Sequence, residues 1–341
     1  MKKTINSSYL AGKLPKGCKL CVKGQKMVLF VTGKCSRGCK FCPLSKLRKN
    51  LDVTYSNERK IENFSEIVQE VKAQNAKGCS LTGGDPLLEL EKTLDLAKNL
   101  KKKFGKKFHI HIYISTKLVD IEKLEKLSKY IDEVRFHPDL EKDLQKEAEK
   151  IKLAKSFWKR KNIGLEIPMF PDKINEIIKI VKLTQDTISF LNLNELESGE
   201  YSENYMNKTY NLNKDGYTIS NSISSGLNLI KKLEKKFPKL NIHLCTSELK
   251  NNFQYKNRLK SYKKMKFAKR NEDGLNVYFR CGNTEEIKRI FPKNKYYYDK
   301  EKNKIILSPN LVRKILGKIR IERVEEFPTF EREETEVEEL D

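Results

Sequence analysis

The chain has 341 residues, 38% of them hydrophobic and 34% charged, enough for one large folded unit with an appendage. No apolar run approaches the roughly 20 residues of a membrane helix, and the lysine-bearing start lacks the apolar stretch of a secretory signal. A cytoplasmic protein without a membrane partner is therefore expected, with a net charge of +24.

The charge is uneven. Ten acidic residues against two arginines leave residues 321–341 at −8, so the first 320 residues carry +32. Such a surplus suits polyanionic partners. A Lys-, Asn- and Ile-rich composition would also produce it with no such meaning.

Residues 1–26 read as an extension that carries Cys18 and Cys21. From residue 27, short apolar runs alternate with helix-periodic stretches. Strands are predicted at 27–33, 79–84, 109–115, 133–138, 162–170 and 189–197. Their Val/Ile/Leu/Phe content suits parallel strands buried on both faces. Helices are predicted at 58–75, 89–104, 120–129, 139–159 and 172–183. Leu90, Leu94, Ala97 and Leu100, for example, make one apolar stripe. This alternation predicts an α/β fold, a partial (β/α)6-type barrel. A helix at 222–236 and a strand at 241–247 complete a unit spanning 27–247. The polar stretch 197–220 reads as a loop or lid over the barrel mouth.

Residues 248–330 read as a basic α+β module. Within it, 249–270 is dense in Lys and Arg, with Phe253, Tyr255, Tyr262 and Phe267 interleaved. Strand-like runs follow within 275–326, with a short helix near 309–316. The acidic tail 331–341 is expected to be poorly ordered.

Five of the eight cysteines fall within residues 18–42, which reads as metal ligation in a chain without a signal peptide. In GKCSRGCKFCPLS (33–45), Cys35, Cys39 and Cys42 stand at C-x3-C-x2-C spacing just after the first strand. Three thiolates on one short loop suit a [4Fe–4S] cluster and leave one iron open to a ligand. The alternative is a structural zinc ribbon built from Cys18, Cys21, Cys35 and Cys39, which leaves Cys42 idle. The segment Thr82-Gly83-Gly84-Asp85-Pro86 ends the second strand. Its glycines allow close approach of a ligand to the backbone, at the strand end where α/β barrels bind ligands.

With these two motifs in place, the chain resembles the radical SAM superfamily over residues 27–200. Nearly the whole chain is similar to a mainly archaeal group described as related to pyruvate formate-lyase activating enzyme. GCKLCVKGQKMVLFVTGKCSRGCKFCPLS, LTGGDPLLELEKTL, KFHIHIYIS, DEVRFHP and IGLEIPMFPDK carry that likeness. The resemblance implies that Cys35, Cys39 and Cys42 ligate three irons and S-adenosylmethionine (SAM) the fourth. Phe41 would meet the adenine, and Gly83, Gly84 and Asp85 the SAM amino group, with Asp85 standing where Glu is commoner. Ser115, Arg135 and Asn192 are candidates for the ribose and carboxylate. The implied chemistry is anaerobic reductive cleavage of SAM to a 5′-deoxyadenosyl radical that abstracts a substrate hydrogen. The electron comes from a donor such as ferredoxin or flavodoxin.

Cys18 and Cys21 form a C-x2-C clip, with Cys245 as a third ligand and Cys281 as a fourth, for a second [4Fe–4S] cluster or zinc. The alternative is that Cys245 and Cys281 are buried apolar residues, as expected of Cys79. His137, Glu166 and Glu195 are polar residues at strand ends and are the candidate catalytic groups, with Asn194 beside them. His109 and His111 share one face of their strand.

Three substrate readings stand, the third being a small molecule in cofactor biosynthesis. RNA modification, of tRNA above all, follows from the basic body and the aromatic-laced stretch. Peptide or protein modification, including activation of a glycyl-radical partner, follows from the resemblance. A non-catalytic iron–sulfur or zinc protein is the reading from another class.

Overall fold

The computed structural model describes residues 1–282 and 285–340. It divides into Met1–Val71 with Ala76–Gln254, and Lys72–Asn75 with the residues from Tyr255 onward.

The first unit begins with β1 (Lys2–Lys3), β2 (Tyr9–Ala11) and α1 (Lys16–Val22). The barrel elements follow in chain order: β3 (Lys26–Thr32), β4 (Thr54–Ser56), β5 (Arg59–Ile61), α2 (Phe64–Gln74), β6 (Gly78–Gly83) and α3 (Leu90–Phe104). Next come β7 (His109–Ser115), α4 (Ile121–Ser128), β8 (Glu133–His137), α5 (Leu144–Lys152), β9 (Ile163–Met169) and α6 (Ile174–Thr184). The series ends with β10 (Phe190–Glu195), α7 (Glu203–Thr209), α8 (Ser222–Lys236) and β11 (Asn241–Cys245). In the sheet, β3, β6, β7, β8, β9, β10 and β11 lie side by side in sequence order, all parallel. The fold is an α/β partial barrel, with β11 as a seventh parallel strand. Its edges are antiparallel, β4 and β5 on one side and β2 and β1 on the other.

Strand periodicity sorts the side chains. Along β7, Ile110, Ile112 and Ile114 join the apolar core with Ala97, Leu100, Leu124 and Leu127 of α3 and α4. The alternate residues His109, His111 and Tyr113 face the barrel interior. Glu133 and Arg135 of β8, Glu166 of β9 and Asn192 of β10 do the same. The strands are thus buried on both faces, as the sequence implied, but the inner face is polar.

Several sequence expectations change. The extension 1–26 is part of the barrel unit, because β2 hydrogen-bonds to β11 and α1 packs on β3, β6 and β7. The helix expected at 58–75 begins only at Phe64, since Asn57 at φ 56° turns a tight β4–β5 hairpin. The helix expected at 139–159 is α5, started by the Asp143 carboxylate accepting from Gln145 N, followed by a 3₁₀ turn. The lid stretch contains α7.

The second unit holds α9 (Lys256–Ser261), β12 (Lys269–Arg270), β13 (Asn276–Gly282), α10 (Glu285–Ile290), β14 (Tyr296–Asp299), β15 (Lys304–Leu307), α11 (Pro309–Ile315), β16 (Ile321–Glu326) and β17 (Glu334–Leu340). Its antiparallel sheet runs β14-β15-β13-β16-β17, with β12 on β13. Of the tail expected to be poorly ordered, Glu334–Leu340 form β17, and Asp341 lies outside the described residues. Its glutamates are drawn onto the sheet by Arg280, Lys302 and Arg323.

Candidate active site

The cysteine loop leaves β3 at Gly33 and returns at Leu51, where Gly33 N donates to Leu51 O at 2.8 Å and Asn50 N to Gly33 O at 2.9 Å. The Gly-Gly ledge at the end of β6 is zipped to the same loop. Gly84 N donates to Thr32 O at 2.7 Å and Asp85 N to Lys34 O at 2.8 Å. A Cβ on Gly84 would lie 2.1 Å from Lys34 O, and one on Gly83 would lie 2.3 Å from Thr32 O. The glycines are therefore required first by the contact between ledge and cysteine loop.

These two backbones open onto a cavity of about 440 Å³. Cys35, Cys39 and Cys42 line it together with Phe41, Gly83, Gly84, Ser115, His137, Glu166 and Glu195. The sequence signals thus converge on one place. Phe41 packs edge-on against Phe170, with ring centroids 4.7 Å apart. His137 Nδ1 pairs with the Glu166 carbonyl at 2.9 Å, and burial lowers its pKa to about 4. Glu195 accepts from Ser247 N at 2.7 Å.

Asp85 does not line the cavity. It is 1% exposed, and its carboxylate accepts from Ser115 Oγ at 2.5 Å and from Leu87 N at 3.1 Å. Burial pushes its pKa up. Asp85 therefore orients Ser115 and the turn rather than presenting an acceptor to the cavity.

Arg135 and Asn192 also stand apart from the expectation, since each lies inside its strand rather than at the end. Arg135 is 1% exposed; it donates to Glu133 at 2.6 Å, Glu166 at 2.9 Å and Cys18 Sγ at 3.3 Å. Asn192 Nδ2 donates to Glu166 at 2.6 Å, as does Asn194 at 2.7 Å. His243 Nδ1 meets Asn192 Oδ1 at 2.6 Å and its Nε2 meets Ser8 at 3.1 Å. These residues hold Glu166, which alone of the group continues into the cavity with Asn194.

Of the four cysteines expected to form a second metal site, Cys18, Cys21 and Cys245 lie in the first unit, Cys21 close enough to act electrostatically on the other two, and Cys281 lies in the second unit. Cys18 sits on α1 against Arg135 and Asn192, and burial raises the pKa of both Cys18 and Cys21. Cys245 accepts from Gln254 at 3.9 Å. Cys281 is 2% exposed in the apolar core of the second unit, beside Ile305 and Leu307. The buried-apolar alternative describes Cys281, and Cys79 is core as expected.

Three cavity groups had no strong sequence signal. Arg37, inside the cysteine motif, donates to His137 O at 2.7 Å and pairs with Asp139 at 3.4 Å. Lys250 pairs with Glu197 at 2.6 Å; burial lowers its pKa, but Glu197 and its neighbours more than reverse this. Tyr113 was hidden in an apolar-looking strand. Buried Ser36 Oγ and Arg37 Nε have no hydrogen-bond partner among the described residues. Three soft sulfur donors on one loop, an open cavity, a bare backbone ledge and unsatisfied polar atoms fit an iron–sulfur cluster with a polar ligand on its free iron.

Comparison with known proteins agrees with this geometry. The radical SAM superfamily profile matches residues 29–183. A Methanocaldococcus jannaschii protein, provisionally named a glycyl-radical enzyme activating enzyme, is 34% identical over 328 residues, covering 91% of this chain and 86% of its own. The chain belongs to the radical SAM superfamily. It is an enzyme whose cofactors are a [4Fe–4S] cluster and SAM. Among solved structures, anSMEcpe with bound AdoMet aligns at 16% identity and TM-score 0.39, over 63% of this chain and 62% of that one. TsrM from Kitasatospora setae, a radical SAM methyltransferase solved with tryptophan and a SAM analogue, aligns at 11% and 0.35, over 53% and 39%. No helix among the described residues is long and apolar enough to cross a membrane.

Proposed function

We propose that this chain is an activating enzyme whose substrate is a backbone position of a partner protein, a glycine that becomes a glycyl radical. The observation that carries the reading is the 34% identity to the Methanocaldococcus jannaschii protein along 91% of the chain, second unit included. Cys35, Cys39 and Cys42 hold the cluster, and Gly83, Gly84 and Ser115 hold SAM. When bound, the two together supply the one-electron reductive cleavage that starts hydrogen abstraction.

The chain's own residues bind, orient and exclude water. The ledge fixes the SAM side of the cavity through its bonds to the cysteine loop. Glu166, carrying hydrogen bonds from Arg135, Asn192 and Asn194, is held in one position in the cavity wall. The lid covers the cysteine loop, with Gly199 against Pro43 and Tyr201 under the Lys49 ammonium at 4.4 Å.

The RNA reading loses its main support. Of the aromatics in the basic stretch, Tyr262 is 4% exposed, Phe253 and Phe267 are half-buried, and only Tyr255, at 37%, is exposed. They pack rather than forming a row on which bases could stack.

The test is anaerobic incubation of the reconstituted enzyme, SAM and dithionite with a pyruvate formate-lyase type protein. The reading expects a SAM-dependent glycyl doublet by electron paramagnetic resonance. Formation of 5′-deoxyadenosine with no doublet contradicts the protein substrate.

A further inference from the structure

Alternation along β11 decides where its cysteine points. Ile242 and Leu244 join the apolar core, so His243 and Cys245 face the barrel interior. His243 meets Asn192 and Ser8 there. Cys245 pairs in register with Asn194, a residue of the cavity wall. Cys18 and Cys21 come from α1, three residues apart and so on one helix face. That face enters the barrel: Cys18 Sγ lies 3.3 Å from Arg135 Nη2 and 3.8 Å from Asn192 Oδ1. Cys21 acts electrostatically on both Cys18 and Cys245. Three cysteines from two distant segments thus share the barrel interior. None of them lines the cavity that Cys35, Cys39 and Cys42 line.

Buried cysteines are commonly small core residues, and Cys79 is one, within the apolar cluster. The three interior cysteines have polar surroundings instead. Arg135 donates to Cys18 Sγ, and Gln254 Nε2 donates to Cys245 Sγ at 3.9 Å. Hydrogen bonds to sulfur are how a protein orients and tunes cluster thiolates. Two further observations call for a partner from outside the chain. Lys26 is 3% exposed, and its ammonium bonds to the His109 ring at 2.8 Å and the His109 carbonyl at 2.9 Å. It has no carboxylate within salt-bridge distance among the described residues, and a buried cation needs a counter-charge. Cys21 lies within its field. His111 is fully buried, and neither ring nitrogen has a hydrogen-bond partner among the described residues. It faces α1, since a Cβ on Gly17 would lie 2.4 Å from its Nδ1. Among the described residues the three cysteines are not gathered around a single ion, and neither are Cys35, Cys39 and Cys42. Sulfurs around a cluster stand further apart than sulfurs around one ion, because each binds its own iron.

We propose that Cys18, Cys21 and Cys245 hold a second iron–sulfur cluster inside the barrel, behind the cavity wall that carries Tyr113 and Glu166. Both wall residues are within electrostatic reach of Cys18 and Cys21. The site is therefore next to the reaction cavity and separate from the SAM cluster. Arg135 and Lys26 offset the charge of the thiolates. On assembly each thiol gives its proton to solvent as its sulfur binds iron, and no electron transfer is part of the assignment. The site does not depend on the identity of the substrate.

The test starts from the Cys35→Ala/Cys39→Ala/Cys42→Ala variant, which removes the ligands of the SAM cluster. Three further variants add Cys18→Ala/Cys21→Ala, Cys245→Ser or Cys79→Ala to it. All four are checked by far-UV circular dichroism and reconstituted anaerobically with iron and sulfide. Iron, zinc and sulfide analysis and Mössbauer spectroscopy are the readouts, none of which requires turnover. The starting variant is expected to retain about two to four irons per chain with matching sulfide. Adding Cys18→Ala/Cys21→Ala or Cys245→Ser should lower that content roughly tenfold or more, while adding Cys79→Ala leaves it unchanged. A starting variant without iron overturns the site, as does iron that persists after either loss of ligands, or zinc in place of iron and sulfide. An equal loss with Cys79→Ala marks a folding effect and also overturns it. Should loss of Cys18 and Cys21 unfold the protein, the Cys245→Ser arm, on a different segment, decides.

Discussion

At the scale of single residues, the site depends on groups that never reach the cavity. Arg135 is enclosed between Glu133, Glu166 and the Cys18 sulfur. Replacing it with Leu leaves two buried carboxylates without their cation, which costs about 3–5 kcal/mol. Urea denaturation of Arg135→Leu checks this; a loss below about 1 kcal/mol would mean that the network is hydrated rather than buried. His243 gives a pH prediction. Burial lowers its pKa from 6.5 to about 4. The folded protein therefore binds its proton more weakly than the unfolded chain does. Its contribution to stability is present above pH 6.5 and is lost as pH falls from 6.5 towards 4. Replacing His243 with Asn should flatten the stability profile across that window in denaturant titrations.

Gly84 belongs to the same scale. Gly84→Ala puts a methyl 2.1 Å from Lys34 O and must push the ledge away from the cysteine loop. A roughly tenfold or greater loss of SAM affinity, equivalent to about 1.4 kcal/mol, is expected by equilibrium binding. The glycine pair was legible in the sequence as a place of close approach. What approaches was not, because the partner is a carbonyl some fifty positions earlier, with no side-chain signature.

At the scale of elements, most strands and helices followed from period alone. HIHIYIS alternates so strictly that β7 begins and ends where the sequence indicated. GKCSRGCKFCPLS and TGGDP placed the cavity because each motif ends a strand and neighbouring strands align their ends. The N-terminal extension was not legible. The segment containing α1 is short and punctuated by Gly and Pro, and the side chains it bonds to, Glu133, Arg135 and Asn192, lie more than a hundred residues away. Its cysteines suggested a metal clip, and Cys18 lies against Arg135 and Asn192. Gly17 shows how closely α1 fits: an added Cβ would lie 2.4 Å from His111 Nδ1 and 2.7 Å from Arg135 Nη2. Gly17→Ala should destabilise the first unit by about 1–3 kcal/mol, read by the midpoint of denaturant unfolding. An unchanged midpoint would mean that α1 does not seat against the strands. The acidic tail misled for a related reason. Its glutamates looked self-repelling in sequence, but β16 and β13 supply arginines opposite them.

At the scale of the whole molecule, chemistry and charge are separable. The radical SAM profile covers only part of the chain, while the likeness to the Methanocaldococcus jannaschii relative continues into the second unit. Net charge suggested nucleic acid, yet charge is a property of surfaces that composition reports without location. The central claim is that Cys35, Cys39 and Cys42 hold the [4Fe–4S] cluster to which SAM binds. Iron and sulfide analysis with Mössbauer spectroscopy, on wild type and on the Cys35→Ala/Cys39→Ala/Cys42→Ala variant after anaerobic reconstitution, tests it most directly. The expected result is a [4Fe–4S] cluster in wild type whose spectrum SAM perturbs, and loss of that SAM-responsive cluster in the variant. A SAM-responsive cluster that survives in the variant, or a wild-type cluster indifferent to SAM, would contradict it.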